Sequence, residues 1–243
     1  MPHLIHKMAQ GESYSQWGED RLVLEFFGGR TDGFFLEAGA FHPVQLSQTY
    51  LLERCGWHGV LVEPVPDQVA EFSTKRPNSI LIQKAIGAPE QSGQELTFVV
   101  PDGEATLARL LGNNEQPAPG DRVLRVSITT LSEVLAAAKA AKLDYLSLDL
   151  EGFELAALRG LDFARWRPGL IMIEDRIEDL RQHRFLKEQG YRLVYRIGVN
   201  NWYVPVETEF PKCTPLVRIK LFRKLYLSMP LRKLRSFLRR FKK

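Results

Sequence analysis

Cysteine is almost absent. Cys55 and Cys213 are the only two in 243 residues. They stand far apart and form no CxxC pair, which leaves neither a disulfide framework nor a zinc site and points to a reducing compartment. No apolar run approaches the roughly 20 residues that cross a bilayer. The opening MPHLIHKMAQGESYSQ has no apolar core and is not read as a signal peptide. No GxGxxG follows a strand-like run, so a cradle for a dinucleotide pyrophosphate is not expected, and with it an NAD-dependent oxidoreductase. Repeats and low-complexity stretches are lacking as well.

Acidic residues are missing from one end. From Lys212 onward there are twelve Lys and Arg and no Asp or Glu, which leaves 21 basic and 29 acidic residues over 1–211 and a net charge of −8 there. The pI near 9.1 is therefore a property of the tail, and a nucleic-acid partner is not expected from it. Residues 1–211 read as one domain and 212–243 as a basic amphipathic tail. Over 216–243, Leu231, Leu234, Phe237, Leu238 and Phe241 recur at helical spacing with basic residues between them. Such a helix lies on an anionic membrane or packs on its own acidic domain. The expected location is cytoplasmic, peripheral at the inner membrane surface if the tail takes up lipid.

What is present is ordinary for a folded domain: 44% hydrophobic and 26% charged residues. Apolar runs at 34–40, 59–64, 79–87, 95–100, 122–128, 145–152 and 169–175 read as strands. Helical patterns at 46–56, 66–74 and 130–142, after 152 and up to about 189 lie between them, and 191–197 with 200–206 reads as a closing hairpin. The polar loop 101–121 is long enough to cover a site. This alternation predicts an α/β fold, a Rossmann-like class I methyltransferase sheet that is mostly parallel with an antiparallel edge hairpin. Ligands of such sheets bind outside the carboxyl ends of the strands.

Acidic residues collect at those ends. The first turn, Glu37-Ala38-Gly39-Ala40-Phe41-His42-Pro43, has one glycine. That suits a ligand without phosphates. S-adenosylmethionine (SAM) needs a small residue for close packing and a carboxylate for its ammonium, which Gly39 and Glu37 offer. Glu63 ends the second strand, where a carboxylate holds ribose hydroxyls. Ala85 and Ile86 end the third strand, beside an adenine ring or simply in the core. Asp149 and Glu151 share a strand face, and their proximity is costly unless a cation or substrate meets them. Glu154 is explained by its place in a first helical turn. Glu174 and Asp175 end the fifth strand. With Asp149 they form either an oxygen-ligand metal site or plain strand-end carboxylates, and no metal ligand is assigned. His42 is a candidate general base or a turn-stabilising residue.

SQWGEDRLVLEFF (15–27), FFLEAGAFHPVQLSQTYLLERCGWHGVLVEPVP (34–66), TTLSEVL (129–135), DYLSLDLEGFELAALRGL (144–161) and IMIED (171–175) occur in this order. Together they resemble the FkbM-type SAM-dependent methyltransferase family, with departures at Ser132 and Ser147. The resemblance implies SAM as cofactor and transfer to a hydroxyl oxygen. It implies that Glu37 and Gly39 line the methionine end, Glu63 holds the ribose, and Ala85 and Ile86 flank adenine. It also implies that Gln16 and Asp20 return over the pocket and that Asp149 sits beside sulfonium and substrate. Asp149 and His42 are the expected catalytic residues, and Glu151 and Glu174 the expected substrate contacts. The acceptor is a sugar, glycan, lipid or secondary-metabolite hydroxyl. A catalytically inactive binding module acting through its tail is the alternative.

Overall fold

The apolar runs of the middle of the chain become strands wherever turn residues bound them. The computed structural model describes residues 12–112, 115–175 and 180–228. Strands β1 (Phe34–Ala38), β2 (His58–Val62) and β3 (Ser79–Ile82) are followed by β4 (Ala85–Ile86), β5 (Glu95–Val100), β6 (Arg109–Leu110) and β7 (Arg122–Thr129). Then come β8 (Tyr145–Leu148), β9 (Leu170–Glu174), β10 (Tyr191–Ile197) and β11 (Asn200–Pro205). Seven of them make one sheet in the order β10-β11-β9-β8-β1-β2-β3. All pair in parallel except β11, which is antiparallel to both β9 and β10. This is the Rossmann-like class I methyltransferase sheet. Its antiparallel strand sits one place in from the edge, inserted between β9 and β10, and the chain direction of the order reverses between β1 and β8.

The period-two alternation of β1 divides the core. Phe34, Leu36 and Ala38 face a cluster that includes Leu131, Val134 and Leu135 of helix α4 (Leu131–Ala137) and Leu158 of α5 (Glu154–Arg159). Phe35 faces the opposite cluster, with Leu22 and Val23 of α1 (Glu19–Phe26), Leu51 and Leu52 of α2 (Tyr50–Arg54), and Phe72 of α3 (Pro66–Lys75). Each of these buried Leu or Phe side chains contributes about 1.5–3 kcal/mol. A sheet apolar on both faces and covered on both cannot float as an edge-on hairpin, so the register is firmly set.

Two elements depart from expectation. The run 79–87 is not one strand. After Ile82 the chain turns at Lys84, whose N–H donates back to the Ile82 carbonyl at 3.0 Å. Ala85–Ile86 then leaves the large sheet and pairs in parallel with β7. With β5 and β6 this makes a second, four-stranded sheet, β4-β7-β5-β6, packed through Val65, Phe98, Leu110, Val126 and Ile128. The predicted helix 130–142 stops at Ala137, because Lys139 takes a left-handed φ of 53°. Its start is as read: Thr130 and Glu133 cap each other's backbone N–H at 3.2 and 2.9 Å.

In the tail, α6 (Arg181–Glu188) is followed after the hairpin by α7 (Pro215–Phe222), which continues as a wider π turn over Arg223–Ser228. Leu221 and Leu225 are buried. The predicted stripe Leu231 to Phe241 lies outside the described residues. Among the described residues no helix is long and apolar enough to cross a membrane.

Candidate active site

At the reversal of strand order, the carboxyl ends of β1, β2, β8 and β9 open onto a cleft of about 540 Å³. Gly39, Glu63, Asp149 and Glu174, each at or just past one of those ends, all line it. Ala85 and Ile86 form part of the wall together with Phe98 of the second sheet, and Gln16 and Glu151 are also on the lining.

Gly39 is fixed by its neighbours. Its φ is +82°, and a Cβ there would stand 1.9 Å from the Asp149 carbonyl oxygen. The loop behind it spends its own backbone donors. The N–H groups of Gly39 and Ala40 both donate to the Val62 carbonyl, that of His42 donates to the Ala40 carbonyl, and that of Phe41 donates to Glu63 Oε2 at 2.8 Å.

Two buried carboxylates hold two strained turns at the cleft. Phe41 (φ 47°) and Glu151 (φ 48°) are non-glycine residues in left-handed backbone, a conformation that costs about 1–3 kcal/mol and persists only under constraint. Glu63 restrains the first, accepting from Phe41 and, through Oε1, from the Val65 N–H at 2.9 Å. Glu154 restrains the second: Oε1 accepts from the N–H groups of Leu150 and Gly152 at 3.0 and 3.1 Å, on either side of Glu151, and Oε2 from Gln182 at 3.1 Å. Burial raises the pKa of both carboxyls, opposed by these N–H donors.

Asp149 opens on the cleft but stands between its walls. Loss of solvent there, then the charge and hydrogen bond of Glu174 and the charges of Glu151 and Glu154, push its carboxyl well above the usual range. One carboxylate oxygen each from Asp149, Glu151 and Glu174 lie within 4.8 Å of one another. That set could ligate a divalent cation, and carboxylates so grouped also occur without one.

Three expected site residues are elsewhere. Glu37 follows Phe35 onto the face covered by α1, α2 and α3, where it is buried and is not among the residues that line the cleft. Its carboxylate accepts from the Gln48 N–H at 2.8 Å, from Ser47 Oγ at 3.1 Å and from Thr49 Oγ1. Arg76 stands beside it, donating to Thr49 Oγ1 at 2.7 Å and to Glu53 at 2.6 Å. Burial raises the Glu37 pKa against the pull of Arg76. His42 is not a cleft base: its Nδ1 accepts from the N–H groups of Val44 and Gln45 at 3.0 and 2.9 Å, which is the turn-stabilising role. Asp20 does not reach the cleft either. Its carboxylate ties down the N-terminal segment, accepting from Tyr14 N–H and Ser13 Oγ, both at 2.7 Å, and from Ser15 Oγ at 3.0 Å.

Other lining residues were not read from the sequence. Trp17 lies over Gly198, where a Cβ would strike its ring at 2.5 Å. Asn200 donates to Glu19 at 2.7 Å and so clasps the N-terminal segment to β11. Gln48 is only 8% exposed, and its Oε1 has no hydrogen-bond partner among the described residues. A second, more polar groove of about 480 Å³ adjoins the first. It shares Leu107, Arg109, Glu151 and Glu174 with it and extends to Glu104, Asp175, Arg181 and Gln182.

Residues 37–193 match the family model described as Methyltransferase FkbM domain. No curated protein matches the chain. Among solved structures, similarity is found to a methyltransferase-like protein from Silicibacter pomeroyi DSS-3, at 14% identity and a TM-score of 0.40, over 88% of this chain and 96% of that one. It is also found to the C-terminal domain of precorrin-6Y C5,15-methyltransferase from Rhodobacter capsulatus, at 11% identity and a TM-score of 0.36, over 76% of this chain and 85% of that one.

Proposed function

The chain belongs to the FkbM methyltransferase family, and on that premise we propose that it methylates a hydroxyl oxygen with SAM as donor. The observation that carries the choice of cofactor is the spent backbone of the first loop. All four N–H groups of residues 39–42 are consumed inside the protein, so the loop has none to offer a pyrophosphate, which needs several. A ligand with ribose hydroxyls and no phosphate remains compatible. Glu63 stands on the wall with lone pairs to spare beyond its two backbone donors, and Ala85, Ile86 and Phe98 offer an apolar wall to a flat ring.

SAM, when bound, supplies a methyl carbon on a positively charged sulfur, open to in-line displacement by an oxygen nucleophile. The protein's part is alignment and removal of one proton. Asp149 is the residue for the proton: its raised pKa makes its ionised form a stronger base than an ordinary carboxylate. Glu151 and Glu174 stand where the cleft meets the second groove, so an acceptor entering by that groove brings its hydroxyl past them to Asp149. The alternative of an inactive module acting through its tail is countered by this intact set of cleft residues.

Calorimetric titration with SAM and, separately, with NAD tests the reading. Micromolar SAM binding that Glu63→Ala weakens by about tenfold or more is expected, since a charge-assisted hydrogen bond contributes about 1.5–3 kcal/mol. NAD binding in place of SAM would overturn the assignment. A methyl ether formed on a hydroxylated acceptor, with S-adenosylhomocysteine released, is the product expected; methylation at nitrogen or carbon would overturn the oxygen specificity.

A further inference from the structure

Gln48 carries a buried polar atom with nothing to bond to. The residue is more than nine-tenths buried, its Oε1 has no partner among the described residues, and it lies on the wall of the cleft. Leaving such a group unsatisfied is costly, and buried side-chain amides are as a rule hydrogen-bonded. The backbone around it is not free to relieve the cost: the Gln48 N–H is fixed on Glu37, and its neighbours Ser47 and Thr49 are held by Glu37 and Arg76. The residue is thus held in place on the cleft wall, and its amide oxygen, turned in from the surface, meets a ligand by rotation of the side chain alone.

The position of Gln48 selects the part of the ligand. It begins the turn into α2, and Tyr50, two residues on, meets Tyr14 edge to face at 4.7 Å. Tyr14 is itself two residues before Gln16, another lining residue. Gln48 is thus tied, through Tyr50 and Tyr14, to the N-terminal segment that supplies Gln16 and Trp17 to the lining, whereas Ala85, Ile86 and Phe98 come from other elements. We propose that the Gln48 side-chain amide binds the zwitterionic amino-acid end of SAM, the oxygen accepting from the α-ammonium. An amide also has N–H to give a carboxylate, so one residue matches both charges of that end. This rests on the cofactor reading above.

The experiment compares two probes on the full chain by calorimetry: S-adenosylhomocysteine, which has the amino-acid end, and 5′-methylthioadenosine, which lacks it. Gln48→Met keeps the length of the side chain and the backbone donor. The variant is expected to bind S-adenosylhomocysteine about ten- to a hundredfold more weakly and 5′-methylthioadenosine unchanged, while the ligand-free protein melts at an equal or higher temperature because an unsatisfied polar group is gone. Equal weakening of both probes, or of neither, overturns the Gln48 assignment and leaves the cofactor reading standing. Failure of the unsubstituted protein to bind either probe overturns both.

An independent observation concerns α7 and the turn after it. Leu221 and Leu225 are buried, yet Leu216, Ile219, Phe222 and Tyr226 recur at helical spacing on an exposed face, with Leu216 70% exposed. Exposed basic residues Arg218, Lys220 and Arg223 flank them, and no acidic residue follows Glu209. Glu207 and Glu209 border the groove that Arg218 lines, but the helix itself carries basic residues and no acid, and such an apolar stripe flanked by Lys and Arg is complementary to an anionic lipid surface, into which Leu and Phe insert while Lys and Arg meet head groups. We infer that this face docks on an anionic bilayer. The full chain should co-sediment with phosphatidylcholine vesicles containing phosphatidylglycerol, in a salt-sensitive manner, and not with phosphatidylcholine alone. The double variant Ile219→Asp, Phe222→Asp should lose most of that binding while keeping its circular dichroism spectrum. Equal binding to neutral vesicles, no vesicle binding, capture of RNA instead, or an unaffected double variant would overturn it.

Discussion

The Cα of Gly39 rests against the main-chain carbonyl of Asp149, so closely that a Cβ would stand 1.9 Å from that oxygen. The ends of β1 and β8 therefore meet without a side chain between them, and the Asp149 N–H bonds to the Ala38 carbonyl at 3.1 Å. The glycine sets where the Asp149 backbone, and hence its carboxylate, sits in the cleft.

Gly39→Ala should consequently damage the site and the fold together. The methyl group meets backbone, which cannot swing aside, and the φ of +82° is unfavourable for alanine. Loss of detectable turnover and an unfolding free energy lowered by more than about 1 kcal/mol are expected. A variant of wild-type stability would mean that the two strand ends part easily.

Asp149→Asn separates chemistry from stability. Turnover should disappear while SAM binding survives. The folded pKa of Asp149 lies above its unfolded value, so its favourable contribution is complete below the unfolded pKa and is lost as pH rises through the folded one. The asparagine variant should thus be more stable than the parent at neutral and alkaline pH, with the difference shrinking toward acid pH. Thermal melts across that range check the sign, and retained turnover would remove Asp149 from the proton transfer.

Glu37→Ala should act on folding. It strips acceptors from Ser47, Thr49 and the Gln48 N–H and leaves Arg76 with Glu53 as its neighbouring carboxylate. A loss of about 3 kcal/mol or more is expected in urea denaturation, since each buried unsatisfied group costs about 1–3 kcal/mol. If stability is unchanged and only cofactor affinity falls, Glu37 belongs to the binding site after all.

His42→Ala should leave the pH dependence of turnover in place. The imidazole accepts two backbone N–H groups of its own turn, so its removal is expected to cost about 1–2 kcal/mol of stability, comparable to losing a helix cap. Disappearance of a titration from the rate profile would restore it as a base.

The strands were legible because buried parallel strands are written as uninterrupted apolar runs, and the cleft residues Gly39, Glu63, Asp149 and Glu174 because ligand sites of such sheets sit at strand ends. Glu37 was misplaced because its side chain lies on the face with Phe35, where Ser47, Gln48 and Thr49 bond its carboxylate, partners that no local pattern announces. Asp20 and His42 were misread because capping a turn and binding a ligand use the same residue types. Gln48, Trp17 and Asn200 carried no local signal, since each becomes part of the wall only through residues distant in sequence. The split of 79–87 depended on a partner strand more than forty residues away, β7, which no local pattern announces.

The clasp between Glu19 and Asn200 spans 181 positions of the chain. One wall of the cleft is therefore assembled from the N-terminal segment and from β11, which must pair with β9 before Trp17 can settle over Gly198. During synthesis the site cannot close until β11 has left the ribosome, however early the parallel strands pair. Ligand affinity in this protein is in that sense a measure of finished topology: a nascent chain ending before residue 200 would have most of its sheet and no closed pocket.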